Sequence, residues 1–149
     1  MLDKLEKTKD SEAIGYFTSE HLRMSGAYWC IGSNMLLGRN LEARRSEMIN
    51  FVKKCQHKCG GFGGNIGHDP HVTTSLYALL IMAMFDAVSE IDTEQLALYF
   101  KGLQNPDGSF KGDHSGEVDT RFSYCAVSAL SLLQRLDIID RVKARNFIL

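Results

Sequence analysis

The chain has 149 residues, which is enough for one domain with a sizeable core. Its 17 basic side chains are balanced by 18 acidic ones, so it lacks the strongly basic character of many nucleic-acid-binding proteins. The N-terminal residues are charged and lack the apolar core of a signal peptide. The longest apolar run, residues 76–85, is too short to span a bilayer.

The four cysteines lie mostly within apolar helical patterns: Cys30, Cys55, Cys59 and Cys125. Such positions are typical of free thiols, which persist in reducing compartments. Together with the absence of a signal peptide, they predict a cytoplasmic protein.

Residues 1–17 are polar and predict a loose lead-in or a short helix, followed by one domain over residues 18–149. The first long helix is predicted from Thr18, a candidate N-cap, to Gly38, a candidate C-terminal stop. The later helices alternate between short amphipathic and long apolar ones. They are predicted from Ser46 to about residue 55, over 71–88, from Asp92 to about 103, from Asp119 to about 136, and from Asp140 onward.

A spacing of 48 residues relates two parts of the chain. Gln56, Gly60, Phe62 and Gly64 recur without insertion as Gln104, Gly108, Phe110 and Gly112. A period of this length indicates helical hairpins that bury their apolar faces on one another. We therefore predict an all-α fold in which long inner helices alternate with short outer helices. We expect an arc of a ring with two exposed apolar ends, which either drive self-association or require the missing part of the ring or a partner subunit to cover them.

The same register predicts which inner-helix residues share a level. It aligns Ser25 with Thr73 and Arg121, and Tyr28 with Leu76 and Tyr124. If this face lines the axis, the cavity is apolar and aromatic with one guanidinium, which suits a long hydrocarbon with an anionic head. Periodicity alone favours ordinary core for these aromatics. Arg121 argues for a cavity, because a charge deep in an apolar helix is costly unless it is paired, for example with Glu117 or Asp119.

A second constellation has the donor types of a tetrahedral zinc site: Cys55, Cys59, His68 and His71. Its spacing does not match that of zinc fingers, so a structural role for these four residues is the favoured alternative. No catalytic nucleophile motif, phosphate-binding loop or paired-carboxylate signature is evident in the sequence.

Several segments closely resemble protein prenyltransferase beta subunits, and among these the type II enzyme, Rab geranylgeranyltransferase. They are HLRMSGAYW (21–29), CQHKCGGFGGNIGHDPH (55–71), LQNPDGSFKGD (103–113) and GEVDTRFSYCAVSALSLL (116–133). The resemblance implies the N-terminal part of an alpha-alpha barrel that pairs with an alpha subunit. It also implies transfer of geranylgeranyl from its diphosphate to C-terminal cysteines of Rab proteins, which an escort protein presents.

The resemblance also implies roles for individual residues. Ser25 and Leu76 match slender residues that line the isoprenoid pocket, where farnesyltransferases carry bulkier side chains. Trp29 and Tyr124 match aromatics that contact the lipid, and Arg121 matches an arginine of the central cavity that serves substrate or product.

The family's Zn²⁺ ligands, an aspartate, a cysteine and a histidine, are expected beyond Leu149, as are the residues that hold the diphosphate. No metal site and no catalytic residue are therefore expected in this chain, which is predicted to be inactive alone. Two alternatives are another isoprenoid enzyme of the same barrel type, such as a type I prenyltransferase or a terpene cyclase, and a helical-repeat scaffold without chemistry.

Overall fold

The computed structural model describes residues 19–149. This part of the chain forms six α-helices and three short 3₁₀ helices, with isolated bridges but no strands. The α-helices are α1 (Arg23–Leu36), α2 (Glu42–Lys54), α3 (Val72–Met84), α4 (Thr93–Gly102), α5 (Thr120–Leu132) and α6 (Arg141–Ile148). The 3₁₀ helices are Glu20–Leu22, Val88–Glu90 and Leu136–Ile138. The predicted all-α fold is therefore confirmed.

The helices form two layers. In the inner layer, α3 lies between α1 and α5 and packs against both. In the outer layer, α2 packs against α3 and α4 packs against α5. The middle helix α3 is apolar on most sides because neighbours cover it, and eight of its residues are buried. The predicted alternation of inner and outer helices is thus observed.

The repeated glycines Gly60 and Gly108 lie in turns with the same backbone geometry. Gly60 and Gly108 both have φ of +96°, which side chains other than hydrogen rarely allow. A Cβ atom on either glycine would overlap the backbone of the next outer helix, at Gln95 in α4 and at Lys143 in α6. The phenyl rings two residues later, Phe62 and Phe110, are fully buried and hold each turn against the neighbouring helices.

Hydrogen bonds repeat with the same period. The Gln56 amide donates to the Asp92 carbonyl and accepts from the Asp92 N–H, at 3.1 and 3.2 Å. Gln104 makes the same pair of bonds to Asp140, at 3.0 and 2.9 Å. Each of these bonds joins a glycine loop to the start of the following outer helix.

A further pair of bonds joins each loop to an inner helix. The N–H of Met24, in the first turn of α1, donates to the Gly64 carbonyl at 2.8 Å, and that of Val72 donates to the Gly112 carbonyl at 2.7 Å. These donors have no partner within their own helices. The loops therefore satisfy helix ends while holding successive repeats together.

Three predicted helix boundaries were wrong. α2 begins at Glu42 rather than after Ser46, because the Asn40 side chain accepts the Glu42 N–H at 2.7 Å. α3 and α5 each end four residues earlier than predicted, where Asp86 and Gln134 adopt left-handed φ values of 50° and 56°. The predicted N-cap Thr18 and the lead-in, residues 1–17, lie outside the described residues.

No helix among residues 19–149 is long and apolar enough to cross a membrane.

Candidate functional site

Aromatic side chains from adjacent inner helices form a cluster. The rings of Tyr28 in α1 and Tyr77 in α3 stack with centroids 4.6 Å apart and planes 9° from parallel. Trp29 meets Tyr28 edge-on at 5.0 Å and Tyr77 at 6.2 Å. We call these three residues, with Tyr124 of α5, the aromatic patch.

Tyr77 connects this patch to α5. Its pKa is raised, first by burial of the side chain and then by the nearby ionisable groups of Cys125, Tyr28 and Tyr124. Cys125 and Tyr124 belong to α5, so side chains of all three inner helices lie near Tyr77. The patch therefore consists of packed rings from α1 and α3, with Tyr124 of α5 in their electrostatic neighbourhood.

The edges of the patch are open. Trp29 is 61% exposed and Tyr124 is 67% exposed, although both are large apolar side chains. Exposed aromatics that continue one another across several helices are typical of a binding surface rather than of scattered surface residues. The arrangement can hold an elongated apolar ligand against its rings.

Ser25, predicted to line the isoprenoid pocket, lies on α1 near Trp29. Ser25 is half-buried one turn before Trp29, and a Cβ atom on the neighbouring Gly26 would meet nothing within 4 Å. One helical turn beyond, Gly32 comes close to the Met84 side chain of α3. The open space beside Gly26 faces Leu41, Met48 and Phe85 rather than the rings of the patch.

Leu76 does not share the exposed face. It is only 2% exposed and belongs to the core, whereas its register partners Tyr28 and Tyr124 reach the surface. The predicted level of Tyr28, Leu76 and Tyr124 therefore does not form a uniform lining. Leu76 lies directly before Tyr77 in α3, so it can influence the depth of the patch only from within the core.

Arg121 is not the deeply placed charge that the sequence predicted. Its side chain is 77% exposed and forms an ion pair with Asp119 at 2.8 Å. Asp119 is also the N-cap of α5, accepting the Arg121 N–H at 2.7 Å. These hydrogen bonds lower the pKa of Asp119 and raise that of Arg121. The charge is accessible because it lies in the first turn of α5.

The four candidate zinc ligands do not form a metal site. Cys55 is fully buried, and burial raises the pKa of its thiol to about 11, which disfavours the thiolate that binds zinc. The Nδ1 atom of His71 accepts the Thr73 N–H at 3.2 Å and caps α3. Within residues 19–149, no three His, Cys, Asp or Glu side chains are grouped to hold a metal ion. The described residues therefore do not fit a zinc ion.

Tyr77 is the residue of this face that the sequence reasoning missed. The 48-residue register aligns it with Trp29 and Cys125, one position beyond the level that was singled out. Trp29 was already a candidate, so its register partner could have been found by following that alignment to α3.

Comparison with known proteins supports the same architecture. The family described as "Prenyltransferase alpha-alpha toroid domain" matches residues 5–149. The geranylgeranyl transferase type-2 subunit beta of Candida albicans is 38% identical over 81% of this chain and 39% of the relative. The protein of that name from Saccharomyces cerevisiae is 40% identical over 84% of this chain and 40% of the relative.

A more distant relative is the protein farnesyltransferase subunit beta of Arabidopsis thaliana, 32% identical over 74% of this chain and 24% of the relative. The chain spans about two fifths of the length of the two type-2 relatives. The match to the toroid family covers nearly the whole chain and agrees with the alternating inner and outer helices. The chain belongs to the prenyltransferase alpha-alpha toroid domain family.

Proposed function

We propose that this chain is the N-terminal part of a type II geranylgeranyltransferase beta subunit and supplies one side of its isoprenoid pocket. The observation that carries the proposal is the aromatic patch, in which rings of two inner helices pack together and Trp29 and Tyr124 are exposed. The names of the more similar relatives support a geranylgeranyl rather than a farnesyl group as the ligand.

Each predicted site residue has a distinct proposed role. Trp29 and Tyr124 contact the isoprenoid chain with their exposed rings. Ser25 leaves space beside Trp29, and the buried Leu76 limits how far the chain can press towards the core. Arg121, accessible and partly neutralised by Asp119, serves an anionic group of substrate or product.

The proposed reaction transfers geranylgeranyl to C-terminal cysteines of Rab proteins, in the cytoplasm. It includes an alpha subunit and an escort protein as partners. Zinc is proposed only for the complete enzyme of the family. The described residues of this chain do not fit the ion and supply no catalytic step. We therefore expect no turnover from the 149-residue chain alone in a transfer assay with geranylgeranyl diphosphate. Measurable transfer would contradict this expectation.

Lipid binding can be tested directly, because Trp29 is the single tryptophan of the chain. A lipid that covers its exposed indole should shift the fluorescence emission to shorter wavelength. We expect a saturable shift on titration with geranylgeranyl diphosphate and none with inorganic diphosphate. A Trp29→Phe variant is the control for signals of other origin. The absence of any shift, together with no binding in equilibrium dialysis, would contradict the proposed function and favour the scaffold alternative.

The relative affinities for geranylgeranyl and farnesyl diphosphate distinguish the proposed function from that of related enzymes that use a shorter lipid. Each buried methylene contributes ~0.8 kcal/mol, so the longer lipid should bind more tightly where the pocket has room for it. Ser25→Trp should fill that room and weaken geranylgeranyl diphosphate more than farnesyl diphosphate. Tighter binding of farnesyl diphosphate to the unmodified chain would instead favour an enzyme that uses the shorter lipid.

A further inference from the structure

A cavity of about 510 Å³ lies between the two glycine loops, residues 56–71 and 104–119, and the C-terminal end of α4. Its apolar wall consists of Leu98, Tyr99 and Leu103 at the end of α4 and Pro70 of the first loop. The volume is in the range of sites that bind small molecules. None of the lining residues belongs to the aromatic patch.

The Tyr99 ring is fixed in this wall by close packing. A Cβ atom on Gly61 would lie 2.7 Å from two atoms of the ring and 2.8 Å from Pro70, so only a glycine fits between the ring and the first loop. Tyr99 also meets the buried Phe100 ring edge-on, with centroids 5.7 Å apart. The wall is therefore preorganised for an apolar group of a ligand.

Two charged side chains of the second loop, Lys111 and Asp113, also line the cavity. Among residues 19–149, Lys111 has no ion pair and no side-chain hydrogen bond. Asp113 Oδ1 accepts the Ser115 N–H at 2.7 Å. Hydrogen bonding to Ser115 is the first cause that lowers the Asp113 pKa, and the nearby His71 and His114 lower it further. A carboxylate has more acceptor positions than one bond uses, so both charges remain available to a ligand.

The first repeat has no corresponding pair of charges. Lys111 and Asp113 lie 48 residues after Gly63 and Asn65. A Cβ atom on Gly63 would lie 2.1 Å from a backbone carbonyl oxygen of the same loop, which excludes a side chain there. Asn65 is 4% exposed and donates to the Glu20 carboxylate at 2.9 Å. The hairpin unit therefore does not require the two charges, and residues that depart from a shared pattern are candidates for a functional role.

The charges and the apolar wall together match one class of small molecule. An ammonium group can bind Asp113, a carboxylate can bind Lys111, and an apolar side chain can pack on Tyr99. We propose that this cavity binds a free α-amino acid with a large apolar side chain, such as leucine. A ligand with only one of the two charges leaves the other side chain unpaired and binds more weakly.

The test is isothermal titration calorimetry of the 149-residue chain with L-leucine and three matched compounds. Glycine lacks the apolar side chain, leucinamide lacks the carboxylate and 4-methylpentanoate lacks the ammonium group. We expect saturable binding of leucine and at least about tenfold weaker binding of each of the other three.

Variants of the two charged residues test their roles. Lys111→Met and Asp113→Asn should each weaken leucine binding by at least about tenfold. The asparagine side chain retains an acceptor for the Ser115 N–H, so this variant should keep the loop intact. Lys54→Met is the matched control, because Lys54 is an exposed lysine of α2 outside the cavity, and it should bind leucine within about twofold of the unmodified chain. Thermal melts check folding, and Lys111→Gln replaces the methionine variant if that variant unfolds.

Cys59 reports where the ligand binds, because its exposed thiol group belongs to the cavity lining. Cys30 is also exposed but lies on α1, whereas Cys55 and Cys125 are buried. Bound leucine should slow the alkylation of Cys59 by iodoacetamide and leave that of Cys30 unchanged. Mass spectrometry measures both thiols in the same sample.

Other results would overturn the inference. The absence of saturable leucine binding would exclude an amino-acid site, and it would leave the proposed lipid binding unaffected because the cavity shares no residue with the aromatic patch. Equal binding of leucinamide or 4-methylpentanoate would contradict the need for both charges. Leucine binding that neither variant weakens, or that protects Cys30 as much as Cys59, would place the ligand outside this cavity.

Discussion

The two glycine loops, residues 56–71 and 104–119, share the left-handed glycine and the buried phenylalanine of their first turns but differ in the polar contacts that surround them. In the first repeat, the Phe62 N–H donates to Ser75 Oγ at 2.8 Å, and Thr74 Oγ1 donates to the Phe62 carbonyl at 2.6 Å. In the second repeat, Phe122 replaces Thr74, and the hydroxyl of Ser123 is buried without a hydrogen-bond partner.

Features present in both loops are required by the repeat, whereas features present in one loop are specific to that copy. The glycine conformations, the buried phenylalanines and the glutamine bonds are duplicated, so they define the hairpin unit. The hydroxyl contacts occur in one copy only and are local features. Substitutions at paired positions should therefore have equal effects where the geometry is duplicated and unequal effects where it is not.

The largest expected effect is at the paired glycines. Gly60→Ala and Gly108→Ala should each reduce the free energy of unfolding by about 3 kcal/mol or more, because a Cβ atom meets both a positive φ and the backbone of the next helix. Urea denaturation measures the loss. Gly102→Ala is the control, since its Cβ would meet nothing within 4 Å, and it should be neutral or slightly stabilising. A tolerated Gly108→Ala would break the equivalence of the loops.

The paired serines should respond in opposite directions. Ser75→Ala leaves the buried Phe62 N–H without its acceptor and should cost about 1–3 kcal/mol. Ser123→Ala removes a buried hydroxyl that has no partner, and should be neutral or stabilise by up to about 1 kcal/mol. The two variants are compared by urea denaturation under identical conditions. Equal losses would mean that Ser123 is as well bonded as Ser75.

The paired glutamines should behave nearly alike, although Gln56 also donates to the Gly60 carbonyl at 3.2 Å. Gln56→Ala and Gln104→Ala each remove two bonds to the backbone at the start of an outer helix, and each should cost about 1 kcal/mol because the sites are partly exposed. Gln95→Ala, at an exposed position of α4, should change stability by less than about 0.5 kcal/mol. A large difference between Gln56→Ala and Gln104→Ala would contradict a duplicated structural role.

The smallest expected effect is a pH dependence of stability that arises at His71, the N-cap of α3. The N-cap of α5 is Asp119. The neutral His71 ring accepts the Thr73 N–H, and burial lowers its pKa, against the opposing charges of Asp113 and Glu117. This contribution to stability is complete above the ordinary histidine pKa of 6.5 and declines as pH falls below it, because the unfolded chain then binds the proton more readily.

Thermal melts at pH 7.5 and 5.5 would measure this dependence. His71→Asn retains an N-capping acceptor that does not titrate, so its melting temperature should fall less between the two pH values than that of the unmodified chain. Parallel decreases in both proteins would exclude His71 as the source.

The sequence predicted the features that depend on local residue type. Glycine at a left-handed turn, phenylalanine two residues later and aspartate before a helix each encode their own conformation, so the loops and the starts of α4, α5 and α6 were found. The helix ends at Asp86 and Gln134 were missed, because a left-handed residue other than glycine has no compositional signature.

The candidate site was predictable only in part. Residue types and register identified Trp29 and Tyr124 as aromatics of inner helices, but the stack between Tyr28 and Tyr77 depends on how two helices face one another. For the same reason, the burial of Leu76 and the exposure of Arg121 could not be read from their shared register. A repeat spacing aligns positions along helices without fixing how far each helix is rotated.

The bonds from Met24 to Gly64 and from Val72 to Gly112 have an evolutionary consequence. The helices α1 and α3 each begin on a carbonyl that belongs to the following unit, so inserting or deleting a few residues between them would misalign both attachments. A chain with this connectivity changes length most readily by duplicating or losing a complete module. The ungapped 48-residue correspondence between its two copies is the record expected of such a history.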